Sequence, residues 1–268
     1  MKKAIKYLVA FIVIQFVVEF VVMLVWQMVG GTGFREAMTR IFTGSQAVTA
    51  PMMIAVQAAF SIVALVVFLW RRWCVVSNHY LKTWPWAVFL WSAIAALGTL
   101  VPSELFQELV PMKDFNSEIL GDIMSSRWGY LAVCIFAPLV EELVFRGAIL
   151  RSLLGSLQNH WTAILVSALL FAIAHLNPAQ MPHAFCLGVL LGWMYYRTHS
   201  VLPGIIVHWV NNTAAYVMFN ILPNAEDFRL IDLWGGSRLH IGMAVLFSLL
   251  IFIPAIVQLH LNMRKTSP

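Results

Sequence analysis

Residues 128–150 read WGYLAVCIFAPLVEELVFRGAIL. An α-helix needs roughly 20 apolar residues to cross about 30 Å of hydrocarbon, and this run is long enough even though two glutamates and an arginine interrupt it. Read as a span, it makes lipid the solvent of the fold. It also singles out Glu141, Glu142 and Arg146, because an ionisable side chain at mid-membrane costs about 2.5–3.5 kcal/mol even on lenient insertion scales. Glu142 and Arg146 stand in the i,i+4 order that favours an ion pair. Glu141 is turned about 100° from Glu142, projects toward a different neighbour and lacks that arginine, so it is the free carboxylate.

Seven further apolar runs flank this one: Ile5 to Val29, Thr49 to Trp70, Pro85 to Val101, Trp161 to Leu176, Ala184 to Tyr196, Leu202 to Leu222 and Ile241 to Leu261. The pattern predicts an all-α, polytopic transmembrane helix bundle of about eight helices, two of them short. It forms a single integral membrane domain over 1–268, with a motif-bearing core at 137–216. With 61% hydrophobic and 11% charged residues, the chain is excluded from the water-soluble domains. The first run has no small-residue cleavage site and is kept as a span. Between Pro102 and Arg127, Leu105, Leu109 and Ile119 alternate with acids and predict a short interfacial helix.

The net charge of +5 does not form a basic stripe interleaved with aromatics, so nucleic acid is not a predicted partner. Topology accounts for it. Arg71, Arg72 and Lys82 follow the second run, Arg151 the fourth, Arg197 the sixth, and Arg264 and Lys265 the eighth. The opposite connections hold Glu36, Glu104, Glu108, Asp114, Glu118, Asp122, Glu226, Asp227 and Asp232. Excess Lys and Arg marks the cytoplasmic side, which predicts a multi-pass protein of the cell membrane with both termini inside. Trp70, Trp73, Trp84, Trp86, Trp128 and Trp161 sit at run edges, where an indole keeps its N–H wet. Cys74, Cys134 and Cys186 show no C-x-x-C spacing, hence neither a disulfide framework nor a zinc knuckle.

Two more spans carry polar groups. Phe171 and His175 lie one turn apart in FAIAHL, and His208 and Asn212 one turn apart in HWVNN. With a turn near Leu157, Glu141 and His175 fall roughly 24 and 27 Å along antiparallel helices, at matching depth. His208 lies only about 9 Å past Leu202, so the hairpin made by the fourth and fifth spans must protrude on the cytoplasmic side for the set to meet. A single intramembrane His or Asn ordinarily bonds a neighbouring helix; a free acid, two imidazoles and an amide on three helices exceed what packing requires. Glu19 is a further buried acid. His183 and the other histidines near run ends receive no role.

Amide hydrolysis needs an activated water, a place for the oxyanion and a proton donor for the leaving amine. Glu141 suits the general base with His175 orienting the water, and His208 and Asn212 suit the oxyanion. An alternative left open is a divalent metal such as zinc held by Glu141, His175 and His208. H-E-x-x-H, G-x-S-G and G-x-G-D are absent, which excludes the zinc, rhomboid and presenilin-type intramembrane designs.

In order, the motifs are E-E-x-x-x-R (Glu141, Glu142, Arg146), F-x-x-x-H (Phe171, His175) and H-x-x-x-N (His208, Asn212). Over roughly 137–216 the chain resembles the CPBP or Abi family, which includes the type II CAAX prenyl endopeptidase and bacteriocin-immunity proteins. The resemblance implies an intramembrane glutamate endopeptidase with Glu141 and His175 catalytic, Glu142 and Arg146 holding the helix, and no required metal. It also implies a peptide or membrane-protein substrate and a bacterial source. Members differ in substrate, so cleavage of prenylated CAAX ends is not inferred. The competing reading is a non-catalytic membrane immunity or scaffold protein of the same fold. A proton-coupled transporter using Glu19 and Glu141 lacks the expected inverted pair of broken helices.

Overall fold

A computed structural model of the chain describes residues 1–77, 86–222 and 229–263. Among these described residues, eight long helical rods correspond one for one to the eight apolar runs. They are α1 (Lys2–Val29), α3 (Ala50–Trp70), α4 (Trp86–Leu109), α6 (127–154), α7 (His160–Ala174), α8 (Met181–Thr198), α9 (Leu202–Ile221) and α11 (Arg238–Asn262). Short helices α2 (Phe34–Thr43), α5 (Ser117–Met124) and α10 (Leu230–Leu233) lie in the connections. Lys82, Trp84, Glu226, Asp227, Arg264 and Lys265, used above for topology, lie outside the described residues.

The helices α1, α3, α4 and α11 are each long and apolar enough to cross a bilayer. Val9, Val13, Phe16, Val17 and Val21 of α1, and Leu246, Phe247, Leu250 and Ile253 of α11, stand exposed. Contiguous apolar faces of this extent are not tolerated in water and belong against lipid tails. The chain is a multi-pass membrane protein.

The basic connections gather at one end of the bundle. There the segment after α3 acts as a strap: Val75 N–H donates to the Gly147 carbonyl at 3.4 Å, and Val201 N–H to the Val76 carbonyl at 2.9 Å. Arg197 Nη2 donates to the carbonyls of His260 and Met263, both at 2.8 Å, satisfying the C-terminal carbonyls of α11. Acidic and amide groups knit the other end. Asn177 Nδ2 donates to Asp114 Oδ1 at 2.9 Å, and Leu230 N–H to Glu108 Oε1.

Two details differ from the sequence reading. The rod α4 continues past Val101, through Pro102, to Leu109. Neighbouring helices allow a membrane helix to carry a proline that would break an isolated one. Leu105 and Leu109 therefore belong to α4, and the interfacial helix is α5 alone. The second difference is α2, a helix that no long apolar run announces. It is short and mixed in polarity, and its Glu36–Arg40 pair at 2.6 Å is exposed.

Small residues let α7 and α8 cross closely at the core. A Cβ on Gly188 of α8 would lie 3.0 Å from the Cα of Ala168 on α7, so the helices touch backbone to backbone. Gly188→Leu is expected to destabilise the protein by on the order of 1–3 kcal/mol through overpacking, read as a lowered unfolding midpoint in detergent. An unchanged midpoint would mean that α7 and α8 are not in that contact.

Candidate active site

The rod α6 is not uniformly wound. Its Ala137–Val144 turn, which bears the two glutamates, is α-helical, whereas Tyr130–Phe136 and Phe145–Leu150 on either side are π-helical. At the first junction Ala137 N–H donates to the Ala132 carbonyl, five residues back. In that register the next carbonyl, of Val133, falls opposite Pro138, which has no N–H to give. Asn212 supplies the missing donor from α9, its Nδ2 2.9 Å from the Val133 oxygen. Beyond the glutamates the ladder loosens again, and Ser167 Oγ of α7 donates to the Phe145 carbonyl at 3.2 Å. Wide turns of this kind often mark functional sites, because they re-aim the side chains between them.

Glu142 and Arg146 form the expected ion pair. Arg146 Nη1 lies 2.7 Å from Glu142 Oε1, and both side chains are removed from solvent, 1% and 0% exposed. Arg146 also stacks 4.4 Å over the ring of Phe171 and reaches the Gly188 carbonyl with Nη2 at 3.4 Å. Glu142 leaves no room beside it, since a Cβ on Gly204 at the start of α9 would stand 2.7 Å from its Oε2.

The same Glu142 oxygen meets His208 Nδ1 at 3.2 Å. A carboxylate only accepts, so this contact places the proton on Nδ1. Nε2 is thereby turned toward Glu141, 3.7 Å from its Oε2. That is too long for a hydrogen bond. A water about 2.8 Å from each atom, however, would join them with a near-right angle at its own oxygen. Glu141 is 20% exposed, in contrast to its sealed neighbour, so one of the two adjacent carboxylates is structural and the other is accessible.

His175 closes α7 and sits edge-on to Phe171, ring centres 4.8 Å apart, with Nδ1 2.9 Å from the Phe171 carbonyl. With Nδ1 donating to that carbonyl, Nε2 is the free nitrogen. The same Phe171 ring meets His208 edge-on at 5.9 Å, so one aromatic ring touches Arg146 and both imidazoles. The hairpin also protrudes as the depth argument requires. Gly147 faces Val201, a Cβ there lying 3.4 Å from Val201 Cγ1, so α6 runs roughly 10 Å beyond the start of α9.

Three residues that the motif reading left without a role adjoin this group. His183 of α8 bonds Ser103 Oγ through Nδ1, and Nε2 lies 3.3 Å from Asn211 Nδ2. Asn211 in turn reaches Asn212 Oδ1 at 3.2 Å. His183 is within electrostatic reach of both His208 and His175. The signal available for Asn211 was its i,i+3 spacing from His208; nothing local marks Ser103. Glu19, half-buried on α1, has no hydrogen bond or ion pair to any described residue. Among the described residues no three His, Cys, Asp or Glu side chains converge closely enough to hold a metal ion, and His175 turns one nitrogen back onto its own helix.

Comparison with known proteins falls on the same segment. Residues 123–214 match the family described as Type II CAAX prenyl endopeptidase Rce1-like, and all three motifs lie inside that match. The chain is 29% identical over 141 residues to the UPF0177 protein YxdF of Lactococcus lactis, an alignment covering 49% of this chain and 77% of that one. It is 34% identical over 102 residues to the membrane-embedded CAAX protease MroQ of Staphylococcus aureus, covering 36% of this chain and 40% of MroQ. No solved structure matches it. The family resemblance read from the motifs therefore holds: the chain is a helical membrane protein with an Rce1-like segment.

Arg146→Ala leaves the Glu142 carboxylate buried without its cation and is expected to cost about 3–5 kcal/mol. The apolar pair Glu142→Leu with Arg146→Met is expected to recover most of that loss in a detergent unfolding assay. A double variant as unstable as Arg146→Ala would show that stability depends on the charges themselves rather than on their mutual compensation.

Proposed function

We propose that the chain is an intramembrane endopeptidase that hydrolyses a peptide bond in a peptide or membrane-protein substrate with a water activated by Glu141. The observation that carries the reading is the 3.7 Å gap between Glu141 Oε2 and His208 Nε2, a water-sized clasp backed by a sealed carboxylate.

Glu141 takes a proton from the water as its oxygen bonds to the scissile carbonyl carbon. His208 is held at Nδ1 by Glu142, and in its protonated form its Nε2–H donates to the oxyanion. Asn212 spends one N–H on Val133 and keeps a second for the same oxygen. As the carbon–nitrogen bond breaks, the proton held by Glu141 passes to the leaving amine. His175, with Nε2 free, orients the water from the α7 side. No metal is required, and the basic end of the bundle faces the cytoplasm with both termini.

Glu141→Gln is expected to lower cleavage by on the order of a thousandfold or more, with insertion and unfolding midpoint unchanged, in a comparison of membrane and secreted peptides between a parent strain and the variant. Chelators are expected to leave cleavage intact. A Glu141→Gln strain with the parent's peptide profile would instead identify a non-catalytic membrane partner protein, and chelator-sensitive cleavage restored by zinc would replace the metal-free mechanism.

A further inference from the structure

At the basic end of the bundle, the start of α1, the end of α3 and the end of α6 border an open cavity of about 650 Å³. We propose that this cavity is a binding site for a phosphate-bearing anion, of the kind presented by an acidic phospholipid headgroup. It is a different place from the candidate active site, because Arg151 in its wall lies about 15 Å along α6 from Glu141.

Lys2, Lys3, Arg72 and Arg151 all line the cavity, and no carboxylate does so among the described residues. None of the four has a side-chain ion pair or hydrogen bond to any described residue, whereas Arg40, Arg146 and Arg197 are each engaged. Like charges lining one cavity repel, and a bound anion turns that repulsion into attraction. Tyr7 and Ser152 add hydroxyl groups to the wall, so charged and neutral donors are available to the several oxygens of a phosphate.

The backbone places one of these cations. Arg72 adopts the left-handed conformation, φ 53°, in the turn that closes α3, where Trp73 N–H bonds the Phe68 carbonyl, and from that turn it lines the cavity.

The rim matches a lipid better than a free ion. Trp73 lies beneath Lys6 Nζ at 4.9 Å and the Arg71 guanidinium at 5.7 Å, an indole clamped at the level where headgroups sit. On the same two helices, Ile5 and Val9 of α1 and Val66 and Leu69 of α3 are exposed. A diacyl lipid would place its phosphate among the four cations and lay its tails on those residues.

The test is native mass spectrometry of the full-length protein with phosphatidylglycerol or phosphatidylcholine of matched chains, beside calorimetry with inorganic phosphate. Phosphatidylglycerol is expected to be retained in preference to phosphatidylcholine. Retention is expected to fall on the order of tenfold or more in the variant carrying Arg72→Gly, which keeps the left-handed turn, together with Arg151→Gln. Arg40→Gln, on α2 and away from the cavity, is expected to retain it. If inorganic phosphate binds alone and displaces the lipid, free phosphate is the natural ligand; if it does neither, the headgroup is. Should the double variant fail to fold, Lys2→Gln with Lys3→Gln gives the same readout. Equal retention of the two lipids, undiminished binding by the variants, or an equal loss in Arg40→Gln would overturn the proposal.

Discussion

Arg146 and Glu142 carry opposite charges one helical turn apart, both withdrawn from solvent. Either charge alone would be prohibitive there, so each commits the other, and together they commit their surroundings. Phe171 must lie under the guanidinium, Gly188 must offer a carbonyl, and position 204 must have no side chain. His208 is then drawn to the same carboxylate oxygen, which decides its tautomer and aims its other nitrogen at Glu141. The order of dependence runs from a buried pair, through an imidazole, to the one carboxylate left open.

Backbone winding performs a complementary task. Pro138 removes a donor from the helix at the turn before the glutamates, and the ladder responds by widening to a five-residue register. The carbonyl left over at Val133 is not wasted, since Asn212 reaches across from α9 to bond it. The H-x-x-x-N motif thus holds both ends of one relationship: His208 contacts the glutamate turn, and Asn212, one turn along, contacts the irregularity that precedes it.

Much of this was legible before any coordinates, for physical reasons that also explain the gaps. Hydrocarbon thickness imposes span length, so eight rods could be counted from Ile5 onward. Helical spacing alone joins Glu142 to Arg146 and separates Glu141 from both. The pairing of Glu141 with His208 was not legible, because it depends on how far the α6–α7 hairpin rises past α9, a quantity set by the Gly147–Val201 contact. Nor was the bond from Asn212 to Val133, since the π register is invisible in composition. The Ser103–His183–Asn211 chain draws one residue from each of three helices and leaves no periodic trace. The helix α2 escaped for the opposite reason, having too little apolar length to register.

The strap from Trp73 to Ser77 ties the first third of the chain to Gly147 and Val201, which are synthesised much later. Every candidate site residue from Glu141 to Asn212 likewise emerges after α1 and α3 are made. During translation the early helices must therefore wait in the bilayer with that strap unseated, and it locks only when α9 arrives. A ribosome stalled before α9 would release a species with inserted helices but an unlatched basic end, and quality-control proteases would meet the Trp73–Ser77 segment as a loose tail.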